Sequence, residues 1–183
     1  MWRLIGFIFS ILEKISKKSL NSYYSHRYKS ECKSVGKGVR FNGVSKITGL
    51  SNIVLEDNVH IGEGAFIRGE GGLKICENTH IARNVTIYTH NHNYKGAKLP
   101  YDDSFTFKSV MIERNVWIGI GVTILPGSKI GEGAIIGAGC IVHGKIPEYA
   151  IMGLSGLKKI GERDIEHYKK LDNLKMYGKV DGK

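Results

Sequence analysis

From Ile112 to Val142 every sixth residue is a branched aliphatic: Ile112, Ile118, Ile124, Ile130, Ile136 and Val142. A helix spaces its apolar residues three and four apart, and a half-buried strand spaces them two apart. A period of six fits neither. It predicts short strands of about one hexapeptide each, separated by turns, with one aliphatic per strand pointing inward; such repeats build a parallel β-helix whose coils stack on one another.

The same frame runs upstream through Val35, Phe41 and Ile47, then Leu55, Ile61 and Ile67, then Ile75, Ile81 and Ile87. Between these groups it slips by two residues, at Ile53 and at Gly71 to Leu73, as small insertions at corners would cause. The fourth residue after an aliphatic is small or β-branched (Ala65, Thr79, Val85, Val116, Val122, Ser128, Ala134, Cys140), which suits a crowded corner. Glycines follow the aliphatics at 62, 119, 131 and 137, and others are expected at turns that need positive φ. Three hexads per coil make about five coils over residues 35–153, each buried aliphatic contributing roughly 1.5–3 kcal/mol.

The frame breaks once, between Ile87 and Ile112, predicting an extruded loop over 88–111. His90-Asn91-His92-Asn93-Tyr94 opens it, and Pro100, Asp102, Asp103, Phe105 and Phe107 fill it. Long loops in compact domains are usually functional, so function is expected here. Counting hexads also sets His60, His80 and Trp117 at sixth positions three hexads apart, so the three are expected to stack along one edge of the prism.

Residues 1–34 read as a helix and linker. Positions 1, 5, 8, 12 and 15 share one helical face, with Lys14, Lys17 and Lys18 at its end. The segment is too short for a membrane span, which needs roughly 20 apolar residues, and has no small-residue cleavage site. An amphipathic helix that caps the β-helix is expected, with contact to an anionic membrane surface through residues 1–18 as the alternative. The link from Asn21 to Ser34 reads as irregular, and residues 154–183 as a basic, helical tail.

The net charge of +10 makes acidic partners or substrates plausible, although the basic ends supply much of it. No aromatic-basic interleaving supports nucleic-acid binding, and none is expected. Cys32, Cys76 and Cys140 are odd in number and lack metal-like spacing, which suits a reduced cytoplasm.

Trp117-Ile118-Gly119-Ile120-Gly121-Val122-Thr123-Ile124-Leu125-Pro126-Gly127, with Ile130-Gly131-Glu132-Gly133-Ala134 and Ile136-Gly137-Ala138-Gly139, resembles the hexapeptide-repeat O-acetyltransferases. That family includes maltose, galactoside, nodulation-factor and surface-polysaccharide acetyltransferases. The resemblance covers residues 35 to 160 and implies left-handed coiling, a homotrimer with sites between subunits, and acetyl-CoA lying along the prism as co-substrate. The expected reaction is transfer of acetyl to a sugar hydroxyl, on a building block or lipid-linked chain of a cell-surface polysaccharide.

In relatives the essential histidine ends the hexad that opens the loop, which here is His92, with His90 as second choice. Its role is general base toward the attacking hydroxyl. Trp117 is expected beside the acceptor and the pantetheine arm, with Tyr94, Arg68 and Glu70 as further acceptor contacts. Gly119, the backbone N–H of Ile120, Gly137 and Ala138 match the cofactor track, and Lys158 or Lys159 the basic residue at the nucleotide phosphates. The His-x4-His metal pattern of related β-helix carbonic anhydrases is missing, so no metal is expected. An antibiotic, small-molecule or amino-sugar N-acetyltransferase and a non-catalytic or metal-binding β-helix remain as alternatives.

Overall fold

The computed structural model describes residues 2–153 and 158–176. Its body is a parallel β-helix with three faces. One face stacks Ser34–Val35, Ile53–Leu55, Leu73–Ile75, Val110–Ile112, Lys129–Ile130 and Lys145–Ile146. The next stacks Arg40–Asn42, His60–Gly62, His80–Ile81, Trp117–Ile118, Ile135–Ile136 and Ala150–Gly153, closed by an antiparallel strand Lys158–Glu162. The third is five-stranded, from Lys46–Thr48 through Phe66–Arg68, Thr86–Tyr88 and Thr123–Ile124 to Ile141–Val142.

The aliphatic frame is the core. Ile75, Ile87, Ile112, Ile118, Ile124, Ile130 and Val142 are sealed from solvent; the first six meet frame counterparts in the coils on both sides, and Val142, on the last strand of its face, meets Ile124. The small residues at the fourth position fill the corners, all buried. The frame also runs past the five complete coils. Ile146 and Met152 are buried on two sides of a sixth, reached by a corner two residues shorter after Val142.

The corners themselves follow a rule that glycine alone does not reveal. The third residue after the inward aliphatic takes positive φ, and it is asparagine (Asn58, Asn78, Asn84, Asn115) as well as glycine (Gly64, Gly121, Gly127, Gly133, Gly139). Asparagine is the side chain that best tolerates this left-handed region after glycine. Asn58 and Asn78 stand one above the other, with Nδ2 of the first donating to Oδ1 of the second at 3.0 Å. The two frame slips are absorbed as expected at corners: Leu50–Asn52 forms one turn of 3-10 helix, and Gly69 to Gly72 forms a tight bulge. In that bulge the Gly71 N–H donates to Thr89 Oγ1 at 2.7 Å, and a Cβ on Gly71 would lie 2.0 Å from the Thr89 carbonyl oxygen.

The N-terminal helix, α1, spans Trp2–Glu31, so the expected irregular link is helical. The reason is packing. Tyr24 and Tyr28, one turn apart, lay aromatic surface on the open end of the first coil, with Tyr28 and Phe41 ring centroids 5.2 Å apart. The buried Tyr28 hydroxyl donates to the Ser45 carbonyl at 2.5 Å, and the Asn21 side chain accepts from the Gly43 N–H at 3.1 Å. The cap is therefore the second half of α1, and the favoured expectation that the first fifteen residues cap the prism is corrected. A helix of this length runs about 45 Å, more than a single coil end can cover. Trp2, Ile5, Phe7, Phe9, Leu12 and Ile15 are left exposed. No helix among the described residues is long and apolar enough to cross a membrane.

The short C-terminal helix, α2, spans Ile165–Asn173, opened by Asp164, whose side chain accepts from the His167 N–H. Its Tyr168 ring docks over Gly133, where a Cβ would come within 3.1 Å of it. Tyr168 hydroxyl joins Asn115 and Glu132, while Arg114 bridges Glu132 at 2.9 Å and Asp172 at 3.0 Å. Asn115 thus continues the asparagine ladder and receives α2. The strand that precedes α2 carries no periodic signal in the sequence and is seen only in the fold.

Candidate active site

The loop leaves the third face after Tyr88 and returns to the first at Val110. It is a two-stranded ribbon: His90–His92 pairs antiparallel with Phe105–Phe107, His90 opposite Phe107 and His92 opposite Phe105. Alternation along a strand sends neighbouring side chains to opposite sides but His90 and His92 to the same side. Their environments nevertheless differ. His90 is 5% exposed, its ring edge-on to Phe105 at 5.1 Å and tilted against Phe107 at 5.7 Å. His92 is exposed and stacks flat on Tyr101 at 3.9 Å. Both line a cavity of about 320 Å³ with Arg68, Tyr88, Asn91 and Phe105. The ribbon tip is tied by Asp102, which accepts from the Ser104 N–H and hydroxyl and from the Ala97 N–H. The Ser104 bonds, above all, hold the Asp102 carboxyl below its ordinary range.

Beneath His90 lies Glu70, placed there by the register that pairs Arg68 with Tyr88. Glu70 Oε1 accepts from Thr48 Oγ1 at 2.8 Å and from Arg68 Nε at 3.1 Å. Burial pushes its carboxyl upward, but the hydrogen bonds from Thr48, its own backbone and Arg68 outweigh this and hold it below the usual carboxylate range. Its Oε2 faces His90 Nδ1 at 3.5 Å. Arg68 and Glu70, expected as acceptor contacts, are thus engaged with each other at the base of the loop, and Arg68 still lines the cavity. Tyr94 is 72% exposed, outside that cavity, with the Lys95 ammonium 5.7 Å from its ring centroid.

The edge counted from the hexads is present. His60, His80 and Trp117 occupy paired positions in successive coils, with the two imidazoles stacked at 4.2 Å and 12°. Trp117 is 57% exposed and stands between two cavities on the second face. One, about 730 Å³, lies between Arg40, His60, Arg83, Trp117 and Ile120. The other, about 650 Å³, lies between Asn78, His80, Trp117, Ile151, His167 and Met176. Gly119 and Gly137 sit where stacked coils touch: a Cβ on Gly119 would lie 2.7 Å from the Ala138 nitrogen, and one on Gly137 would lie 2.9 Å from the Met152 carbonyl oxygen. Close stacking therefore already requires these glycines, whatever lies along the track. Lys159 pairs with Glu162 at 3.2 Å, and the side chain of Lys158 falls outside the described residues.

One chain thus brings His90, His92, Arg68 and Glu70 together, but Trp117 and Ile120 sit on another face, in cavities that no loop histidine lines. Tyr101, Phe105, Arg40 and Arg83 belong to these sites and were not foreseen. The first two could have been found from the alternation of a ribbon closing on His90–His92, and the two arginines from their places beside the His60 and His80 hexads. Among the described residues no group of three or more His, Cys, Asp or Glu side chains is placed to hold a metal ion.

The period-six β-helix carries a histidine-bearing ribbon on one corner and a tryptophan edge on the next face, and its sequence is similar to hexapeptide-repeat acetyltransferases. Residues 109–144 match the family described as bacterial transferase hexapeptide (six repeats). The chain is 33% identical over 112 residues to the putative lipopolysaccharide biosynthesis O-acetyl transferase WbbJ of Escherichia coli, covering 57% of each protein. It is 29% identical over 158 residues to the Escherichia coli dTDP-4-amino-4,6-dideoxy-D-glucose acyltransferase, 72% of this chain and 82% of that one. A galactoside acetyltransferase solved in complex with coenzyme A superposes with a TM-score of 0.71 at 26% identity, covering 82% of this chain and 80% of the other. The chain spans little more than half the length of the first of these curated relatives.

Proposed function

We propose that the protein is an acetyl-CoA-dependent O-acetyltransferase that modifies a sugar hydroxyl in the making of a cell-surface polysaccharide. The observation that carries this reading is the extruded ribbon, which holds two histidines over a cavity of a size that suits a sugar ring. The similarity to an O-acetyl transferase of lipopolysaccharide biosynthesis and to a coenzyme A-bound galactoside acetyltransferase supports it. A loop histidine, His92 by the hexad count or His90 behind it, takes the proton of the acceptor hydroxyl as its oxygen attacks the thioester carbonyl. The Ile120 backbone N–H beside Trp117 is the proposed donor to the developing oxyanion. Gly137, Ala138 and Lys158 or Lys159 continue the proposed cofactor track.

The separation of the loop from Trp117 within one chain supports a homotrimer, in which the ribbon of one copy meets the Trp117 edge of the next. The exposed apolar first half of α1, with Lys14, Lys17 and Lys18 along it, supports peripheral contact with the cytoplasmic face of a membrane and a lipid-linked acceptor. A second reading, N-acylation of an amino sugar, is favoured by the similarity to the dideoxy-amino-glucose acyltransferase. The two separate in one assay: release of coenzyme A thiol from acetyl-CoA, with a galactoside in one arm and a nucleotide-linked 4-amino sugar in the other. Faster release with the galactoside and an ester product by mass spectrometry is expected. An amide product alone would replace the first reading by the second, and silence in both arms would remove acetyl transfer to these acceptor classes.

A further inference from the structure

We propose that the Arg40 and Arg83 end of the Trp117 cavity binds a diphosphate carried by the acceptor, so that the sugar is acetylated while attached to a diphosphate-linked carrier. The proposal rests on the acyl-transfer reading above and names the class of acceptor within it. Arg40, His60, His80 and Trp117 are partners in register on successive coils of the second face. Neighbouring strands lie about 4.8 Å apart, which sets Arg40 roughly 14 Å from Trp117 along the prism. Arg83 joins this column from the adjacent corner. It follows Ile81 by two residues, its carbonyl accepts from the Gly121 N–H at 3.0 Å, and its exposed side chain lines the same cavity. Among the described residues Arg83 takes part in no ion pair.

Charge, place and size together select the ligand. The cavity wall holds two guanidiniums against one carboxylate, Glu63, so with neutral imidazoles it is net positive. A guanidinium fork matches phosphate oxygens two at a time, and two forks match two phosphates, where a single sugar carboxylate would meet only one. The place excludes the cofactor's own phosphates. The proposed cofactor track runs from Ile120 through Gly137 and Ala138 to Lys158 or Lys159, toward the last coils, whereas Arg40 and Arg83 stand on coils before Trp117. The size leaves room for a carrier: this cavity holds about 730 Å³, more than twice the 320 Å³ of the ribbon cavity that suits a sugar ring. In the trimer proposed above, the ribbon of the next copy meets this edge, so ring and diphosphate are held side by side.

The test uses the full chain with acetyl-CoA, reading thiol release with methyl galactoside, uridine diphosphate galactose and citronellyl diphosphate galactose. Both diphosphate acceptors should show kcat/KM at least about tenfold above methyl galactoside, the scale of one hydrogen bond to a charged group. Whichever carrier is faster, nucleotide or lipid, identifies the source, and either supports the site. Arg40→Gln and Arg83→Gln should each cut that advantage about tenfold, and Arg83→Lys, which keeps the charge but loses the fork, should cut it less. Arg83 is exposed on a corner, so its variants decide the matter if Arg40→Gln fails to fold. Equal kcat/KM for all three acceptors, or an advantage unmoved in the variants, would overturn the proposal. So would an advantage confined to methyl galacturonide, which would reassign the arginines to a carboxylate.

A second arm needs no acetyl transfer. Inorganic pyrophosphate is titrated calorimetrically into the chain saturated with coenzyme A, so that the cofactor's own phosphate contacts are filled. Its binding should weaken at least about tenfold in Arg83→Gln; no binding to the unaltered chain, or the same affinity in the variant, would overturn the site. If the unaltered chain releases no thiol with any acceptor, the acyl-transfer reading fails for galactose acceptors. The pyrophosphate arm then still decides whether these arginines hold a diphosphate.

Discussion

Residues 112–142 and residues 88–111 use apolar side chains in opposite ways. In the stack, Ile112, Ile118, Ile124 and Ile130 are sealed, each lying between branched aliphatics one coil away. In the ribbon, Leu99 is 95% exposed and Phe105 and Phe107 are substantially exposed, packed around histidines rather than into the core. The stack gains its stability by repetition, since every hexad buries its aliphatic against the next. The ribbon is held by a few particular contacts: Asp102 at its tip, Tyr101 on His92, and Glu70 beneath His90. A solenoid repeats one contact set coil after coil, so a contact set that occurs once arises where its rhythm is interrupted.

The sharpest way to break this contrast is to remove one methylene-rich side chain from each region. Ile118→Ala should cost about 2–5 kcal/mol in denaturant unfolding, whereas Leu99→Ala should stay within about 0.5 kcal/mol. Equal losses would mean that the ribbon is part of the core. The two halves of α1 repeat the contrast on a smaller scale. Tyr28→Phe strands the buried Ser45 carbonyl and should cost about 1–3 kcal/mol, while the pair Phe7→Ser and Phe9→Ser should leave stability within about 0.5 kcal/mol. The serine pair should instead lose co-sedimentation with anionic lipid vesicles; unchanged binding would remove the membrane contact.

The smallest effect concerns pH. The Asp102 carboxyl is held low in the folded ribbon by its bonds from Ser104. Its contribution is therefore full above the ordinary carboxylate value of about 4 and is lost as pH falls through the lower folded value. Proteolysis within 94–104 should quicken over that acid range, and Asp102→Asn should show the faster cleavage already at neutral pH. A cleavage rate that does not change with pH in the unaltered protein would show that Asp102 does not hold the tip.

Much of the fold was legible because the signal repeats. Each aliphatic of the frame packs against an aliphatic of the next coil, so one short motif announces all faces, both slips and the break. The ladder of His60, His80 and Trp117 followed from the same count. The asparagines at 58, 78 and 115 were equally periodic but are usually read as surface polarity, so their role as left-handed corners went unread. Tyr24 and Tyr28 were missed as the cap because their partner, the open end of a coil, exists only after the coil has closed.

The first coils advance by twenty residues, which sets Arg68 below Tyr88 and brings Glu70, twenty residues before His90, to 3.5 Å from its ring. What counting could not supply is depth. His90 and His92 lie two residues apart on one strand, yet one is walled in by Phe105 and Phe107 and the other lies open on Tyr101. That difference depends on a ribbon closing upon itself across more than a dozen residues. The β-helix was determined by the sequence alone, because its packing repeats locally; which histidine meets a carboxylate was decided by the tertiary structure, because that contact occurs once.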